Sequence, residues 1–418
     1  MESRLPVHIG SAAISKLVRY CRDNQMNQLT LVADQNTYAA LGEAVEHALG
    51  EREFDVNTIV LTGGEIIADE HYIVQVLLQA DQKERVYIAV GSGTITDITR
   101  FVSHRTKSPF ISVPTAPSVD GFTSIGAPLV IGRLKQTLVT QPPVAVFADV
   151  PTLCAAPHRL IASGFGDIVG KFTSIADWRL GNLLWDEPYD AAIAHRARQA
   201  AQACASHAGG IGKATEQGIR CLMDGLIESG FCMLAFGNTN PASGAEHHVS
   251  HYWEMKLLWE NKPAILHGEK VGVACILIAR YYDQIRQMSQ RQAADCLDHT
   301  SLPDREQEIG RIRAAYGPIA ETLIEEQAPF LDMSGNAYDS LKQKIVDNWS
   351  HIQAVAAAVP SAEDLTSMLK TAGAPTDATD LGLSHDEVAT AMQMAHYCRN
   401  RLTIVKIGRM LGIHWQDG

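Results

Sequence analysis

No run of apolar residues in the 418-residue chain is long enough to cross a bilayer; the best, VGVACILIARYY at 271–282, is too short and carries Arg280. The first ten residues, MESRLPVHIG, lack the basic-then-apolar pattern of a secretory leader, so export is not expected. Positive charge is in deficit: 35 Lys and Arg against 47 Asp and Glu leave a formal net charge of −12. That excludes the basic footprint of a general nucleic-acid binder and makes insertion into, or docking on, an anionic membrane a poor reading. Cys-x-x-Cys is missing too. The eight cysteines at 21, 154, 204, 221, 232, 275, 296 and 398 predict reduced, mostly buried thiols in a cytoplasm, not a cysteine zinc site. Internal repeats and low-complexity tracts are also lacking. What remains, 46% hydrophobic and 20% charged residues, is the balance of a globular enzyme of two or three domains. A small anionic substrate stays open to it, because a few lysines, a helix N-terminus or a metal can overrule the overall charge.

The first third alternates short β-branched runs with amphipathic stretches. Strands are predicted at 28–34 (QLTLVAD), 56–61 (VNTIVL), 85–93 (RVYIAVGSG) and 109–115 (PFISVPT), with helices at 37–52, 69–82 and 95–104 between them. This spacing means βαβ units and a mostly parallel, Rossmann-like sheet. A β-rich insert turning at GRLK and a strand ending near 150 follow. Beyond a boundary at 150–158, Ala-, Leu-, Gln- and Glu-rich segments at 187–208, 214–236, 268–292 and 304–327 predict an all-α part, with 359–386 a loosely patterned cap.

Four places could carry chemistry. The turn Gly91-Ser92-Gly93-Thr94 after the third predicted strand would let backbone N–H groups approach a phosphate, or would be a plain strand-to-helix turn. Asp34, ending the first, stands where a carboxylate binds an adenosine ribose, or caps the next helix. SVPTAPSVDGFTS at 112–124 leaves the sheet at the carboxyl ends of the strands, stiffened by two prolines and carrying Asp120 as substrate contact or cap. In ASGFGDIVGKFTS, Asp167 reads as a helix cap by itself, but Gly164, Gly166 and Gly170 around it imply that something packs very close to the backbone.

Histidines supply the rest. SGAEHHVSHYWEM places His247 and His251 four apart, on one face of a helix, and His267 begins an apolar helix. Asp167, one histidine of that pair and His267 make an Asp/His/His set, suited to Zn²⁺, Ni²⁺ or Fe²⁺ with one position open for substrate.

GSGTITD, PTAPSVDGFTS, GFGDIVGK, SGAEHHVSH and LHGEKVG, in this order and at these separations, resemble the sn-glycerol-1-phosphate dehydrogenases, bacterial members above all. Their superfamily also holds glycerol dehydrogenase, the iron-dependent alcohol dehydrogenases and dehydroquinate synthase. The resemblance runs from about residue 5 to beyond 280; one departure is Ser92, where many relatives have glycine. It implies an NAD(P)-binding α/β domain at 1–155, a helical metal- and substrate-binding domain at 156–418, and an active site in the cleft between them. Gly91, Ser92, Gly93, Thr94 and Ile95 would hold the pyrophosphate of NAD or NADP, and Thr115, Ala116, Ser118 and Ser124 the nucleotide. Asp167, His247 and His267 would hold one divalent metal. Asp120, Asp167 and His251 would be the catalytic and substrate-facing groups, with His248 a bystander on another face. By nearness in sequence to the metal ligands, and not by the resemblance, Lys171 and Lys270 are candidates to meet the substrate phosphate, or else face solvent.

The implied reaction is reversible, metal-dependent reduction of dihydroxyacetone phosphate to sn-glycerol 1-phosphate with NAD(P)H, in a homo-oligomer, a dimer or larger. The competing readings are a sugar-phosphate cyclase of the dehydroquinate synthase kind, a glycerol dehydrogenase without a phosphate pocket, and a non-catalytic sensor.

Overall fold

The computed structural model describes residues 5–413. By packing, the chain forms two compact units: one comprises the chain up to Ile168 together with Gln202–Gly237, the other Val169–Ala201 together with the residues from Asn238 onward. The segment 202–237 lies in the part read as helical from sequence, and it packs with the α/β unit.

The first unit is built on a six-stranded, wholly parallel sheet of β1 (Val7–Ile9), β2 (Gln28–Asp34), β3 (Asp55–Leu61), β4 (Val86–Gly91), β5 (Phe110–Pro114) and β8 (Ala145–Ala148), in the order β1-β8-β5-β4-β2-β3. Only β1 lacks a sequence signal, because three residues are too few to show a period. Along β2, Leu29, Leu31 and Ala33 point into one core with Leu17, Val45 and Leu49 from the helices Ala13–Asp23 and Glu43–Gly50. Val32 points into the other, with Ile73 and Val76 from Glu70–Gln79 and Ile95, Ile98 and Val102 from Gly93–Arg105. Both faces are covered, which is why the central strands read as continuous apolar runs. The chain moves from β2 outward to β3, then crosses back to place β4 on the other side of β2. That reversal opens a crevice at the carboxyl ends of β2 and β4, where parallel sheets bind ligands.

The β-rich insert is an antiparallel hairpin, β6 (Gly126–Ile131) and β7 (Leu134–Val139). Its two turn residues, Gly132 and Arg133, both have positive φ, the geometry that matches the twist of a two-residue hairpin.

The second unit is helical. Its long helix His267–Gln287 buries Val271, Val273, Ala274, Ile276, Ile278 and Ala279, positions spread around the whole helix circumference. The run VGVACILIARYY is thus a central core helix, and no described helix is long and apolar enough to cross a membrane. The loosely patterned 359–386 contains a true helix, Ala362–Thr371, started by a Ser361–Asp364 capping box.

Candidate active site

At the carboxyl edge of the sheet, β4 ends at Gly91, level with Pro114 of β5, and the Thr115 N–H donates to the Gly91 carbonyl at 3.2 Å. The helix Gly93–Arg105 starts here with Ser92 as its N-cap, and no side chain caps its first turn. Two other helices of this unit are capped by Asp69 and Asp149, whereas Ala13–Asp23 also starts without a side-chain cap. An N-terminus left open by side chains suits a pyrophosphate, whose oxygens can take the first-turn N–H groups. Gly91 is required for packing as well: a Cβ there would come within 2.5 Å of Ile95. Asp34 is engaged in a capping box with Thr37, whose N–H it accepts at 2.8 Å.

The loop carrying Thr115, Ala116, Ser118, Asp120 and Ser124 is buried and held from several sides. Arg100, fully buried on Gly93–Arg105, donates to the carbonyls of Gly121 and Gly126 and pairs with Asp97 at 2.7 Å. From Glu216–Phe236, Ser229 donates to the Asp120 carboxylate at 2.8 Å, while Thr123 donates to the Ile227 carbonyl. The Ser163 hydroxyl donates to the Ser118 carbonyl at 3.3 Å. Asp120 therefore does not cap the short turn that follows it. Gly164 explains the glycine cluster: a Cβ there would lie 1.8 Å from the Pro117 carbonyl oxygen, so the helix His158–Val169 lies directly against this loop. Asp167 sits inside that helix, not at its start; it is fully buried, and its Oδ2 accepts the Asp120 N–H at 2.9 Å.

In the helical unit, His247 and His251 lie on the helix Ala245–Trp259 and His267 opens the next. The three rings form a triangle with centroid separations of 6.0, 5.2 and 5.9 Å. Asp167, His247 and His267 each offer one ligand atom, and these atoms all lie within 4.8 Å of one another.

Two acidic residues with no motif of their own in the sequence, Glu246 and Glu254, distinguish the histidines. Glu246, fully buried, accepts from His247 Nδ1 at 2.7 Å, from the Gly244 N–H at 2.7 Å and from the Thr173 hydroxyl at 2.7 Å. A carboxylate only accepts, so His247 carries a proton on Nδ1. Burial would raise the Glu246 pKa, but the His247 ring, the Gly244 N–H and the Thr173 hydroxyl together hold it below the usual range. Glu254 stands beside His251 Nδ1 and Lys270 Nζ, at 3.5 Å from each. A Glu beside a histidine in the first helical turn was the available signal for Glu246; Glu254, at i+3 from His251, had the spacing of a side-chain neighbour.

The helix start is fixed as tightly as the histidine. Asp177 accepts the Ala245 and Ile404 N–H groups and the Tyr282 hydroxyl, all at 2.7 Å. A Cβ on Gly244 would meet Ser174 Cα at 2.7 Å. His248 points away and is buried with no hydrogen-bond partner on either nitrogen; burial, then Arg401, Arg399 and Lys406, push its pKa well down, so it is neutral. Lys171 and Lys270 do not face solvent: they are buried and donate to the carbonyls of Ala242 (3.3 Å) and Ile265 (2.7 Å).

Glutamine at Glu246 tests the support of His247. Its amide nitrogen can take the Thr173 side, where the hydroxyl still has the Gly170 carbonyl at 3.1 Å to donate to. The fold should survive and only the charge behind His247 be lost. Metal affinity is expected to fall roughly 10–100-fold, the usual cost of removing such a partner; unchanged affinity in a competition titration would remove Glu246 from the role.

Residues 8–157 match the family of iron-containing alcohol dehydrogenases. The chain is 38% identical over 401 residues to glycerol-1-phosphate dehydrogenase [NAD(P)+] of Geobacillus stearothermophilus, covering 95% of this chain and 90% of that protein. It is 37% identical to the protein of that name from Bacillus subtilis, covering 97% and 92%. Among solved structures, glycerol dehydrogenase from Schizosaccharomyces pombe matches with a TM-score of 0.61 at 16% identity, covering 98% of this chain and 88% of that one, a likeness of fold. With identity of that order to the Geobacillus and Bacillus enzymes along nearly its whole length, the chain belongs to the glycerol-1-phosphate dehydrogenase family.

Proposed function

We propose that this protein catalyses the reversible NAD(P)H-linked reduction of dihydroxyacetone phosphate to sn-glycerol 1-phosphate, at a centre where Asp167, His247 and His267 hold one divalent ion. The observation that carries it is the convergence of those three ligand atoms within 4.8 Å in a chain of this family. One carboxylate and two imidazoles fit Zn²⁺, Ni²⁺ or Fe²⁺, and the Nδ1–Glu246 bond already presents His247 in the tautomer a metal needs.

Bound in place, the ion would supply a Lewis acid at the substrate carbonyl and the nicotinamide would supply the hydride. The rest falls to the chain. The first-turn N–H groups around Ser92–Ile95 would hold the pyrophosphate, and Thr115, Ala116, Ser118 and Ser124 the nucleotide, with Asp34 near the ribose. Asp120, oriented by the Ser229 hydroxyl, would orient the substrate hydroxyls together with Asp167. His251, with Glu254 on its Nδ1 side, would hold a proton at Nε2 and deliver it to the C2 oxygen as the hydride arrives. Lys171 and Lys270 would meet the phosphate. Residues 1–155 would bind NAD(P) and 156–418 the metal and substrate. A homo-oligomer, a dimer or larger, is the assembly proposed, and eight free thiols suit a cytoplasm.

The test is the purified protein with dihydroxyacetone phosphate and either NADH or NADPH, followed at the nicotinamide absorbance with and without chelator. Oxidation of neither cofactor sinks the assignment, and turnover of glycerol in place of glycerol 1-phosphate redirects it to glycerol dehydrogenase. In the same assay His251→Ala should lower kcat by roughly 10²–10⁴-fold with the ion retained. Loss of the ion in that variant would make His251 a ligand instead.

A further inference from the structure

The helical unit contains a cavity of about 140 Å³ formed by residues of 300–410 alone. Its walls are largely apolar, with Leu302, Phe330, Leu341 and Met410 among them. Exposed Ser301, Pro303 and Arg305 also line it and give it a route to solvent. Into this lining comes a lysine. Lys406, on the helix Ile404–Met410, is only 8% exposed. Its Nζ donates to the Gln327 side-chain oxygen at 2.9 Å and lies 3.4 Å from the centroid of the Phe330 ring. Among the described residues no carboxylate oxygen comes within 4.0 Å of it.

The other charges nearby are already matched. Arg409 meets both oxygens of Glu308 at 3.1 Å, and Glu308 also takes Arg311 and the Tyr397 hydroxyl. Arg305 pairs with Asp332 at 2.7 Å. His396, on the same wall, accepts from Arg409 at Nε2, which leaves its proton on Nδ1, where no acceptor is in reach. The cavity therefore offers one lysine amine without a carboxylate partner, which an incoming anion would hold protonated, and one N–H donor without an acceptor, beside an apolar chamber. A buried charge without a partner is costly, and burial followed by Arg409 pulls the Lys406 pKa well down.

We propose that this cavity is a binding site for a small monoanionic carboxylate with an apolar body, its carboxylate on Lys406 and its body against Phe330 and Leu341. The volume fixes the size: a dry apolar cavity of about 150 Å³ takes up benzene. The charge fixes the head group. A phosphate dianion would bring two charges to one available cation in a poorly solvated space, whereas a carboxylate brings one. No residue of the site lies among the catalytic or nucleotide-binding groups, so occupancy is separable from turnover.

The probes are benzoate, its uncharged counterpart benzyl alcohol, and inorganic phosphate, titrated calorimetrically into the whole enzyme and into Lys406→Met. Benzoate should bind wild type and raise its Tm, with benzyl alcohol weaker by about tenfold or more. Lys406→Met should weaken benzoate by about thirtyfold or more, the low end for deleting one partner of a buried charge pair, at unchanged kcat. Leu341→Trp, which fills the chamber and keeps the lysine, should also abolish binding and covers the case in which Lys406→Met does not fold. Three results overturn the proposal: no benzoate binding to wild type, benzoate binding unaffected by both variants, or equal affinity for benzoate and benzyl alcohol. Preference for phosphate would overturn the assigned head group.

Discussion

Alanine at His247 is expected to strip the protein of its metal and of its activity together. His247 is 5% exposed and held by Glu246 at 2.7 Å on one nitrogen, so its ring has a fixed place at the helix start that alanine leaves empty. Two ligands of a three-ligand site remain, and an Asp/His pair does not hold a first-row ion against dilution. A Lewis acid contributes several kcal/mol at the transition state, and each 1.36 kcal/mol is tenfold, so turnover should drop by about a thousandfold or more. Metal content of the purified variant, measured by mass spectrometry against wild type, is the first readout, and the rate of dihydroxyacetone phosphate reduction is the second. Removing His247 also leaves a Glu246 oxygen short of one donor, so His267→Ala supplies an independent reading from a residue that is only partly buried. A full complement of metal in a folded His247→Ala protein would falsify the ligand assignment.

Gly164→Ala should be the most damaging conservative change in the α/β unit. Alanine normally favours a helix over glycine by about 1 kcal/mol. Here the added methyl would meet the Pro117 carbonyl oxygen at 1.8 Å and its carbon at 2.8 Å, and both belong to the backbone of a proline-stiffened loop. Neither side can yield by a rotamer change. The helix must separate from the loop, at a cost of about 3 kcal/mol or more. Since the Ser163–Ser118 bond and the Asp167–Asp120 bond tie the same helix to the same loop, the displacement should raise KM for the nicotinamide cofactor in whatever fraction folds. Thermal unfolding and cofactor titration check this; a variant with wild-type Tm and KM would show that the loop is softer than its hydrogen bonds imply. Gly50, where a Cβ would meet nothing within 4 Å, is the control, and alanine there should be neutral or stabilising.

Much of the α/β unit was legible because its signals are local. Short apolar, β-branched runs on strands and 3.6-residue periodicity on helices place β2 to β5 and the hairpin close to their observed limits. The helix Ala362–Thr371 is hard to read from sequence because Gly, Pro and Thr around it blur the pattern, although its capping box is present in the residues. The grouping of 202–237 with the α/β unit was not legible, since a helix carries its apolar stripe whichever core it joins. Asp167 shows the limit from the other side. Beside three glycines it has the look of a cap, yet it lies within a helix, because those glycines serve close packing at Gly164 and not a turn.

The sequence by itself determined the fold class, the family and the short list of histidines, carboxylates and glycines on which chemistry could rest. All of these are written in spacing over a few residues or in ordered motifs. Only the tertiary structure decided what each group meets: that Glu246 bonds His247 Nδ1 while Glu254 stands by His251, that His248 is buried without a hydrogen-bond partner, and that Lys171 and Lys270 are buried. It also decided that Lys406, unremarkable in the sequence, faces a cavity without a counterion. The reason is physical. A residue's periodicity is set by its own backbone, but its protonation, burial and partners are set by segments that reach it from tens of residues away, and nothing in the local spacing encodes that arrival.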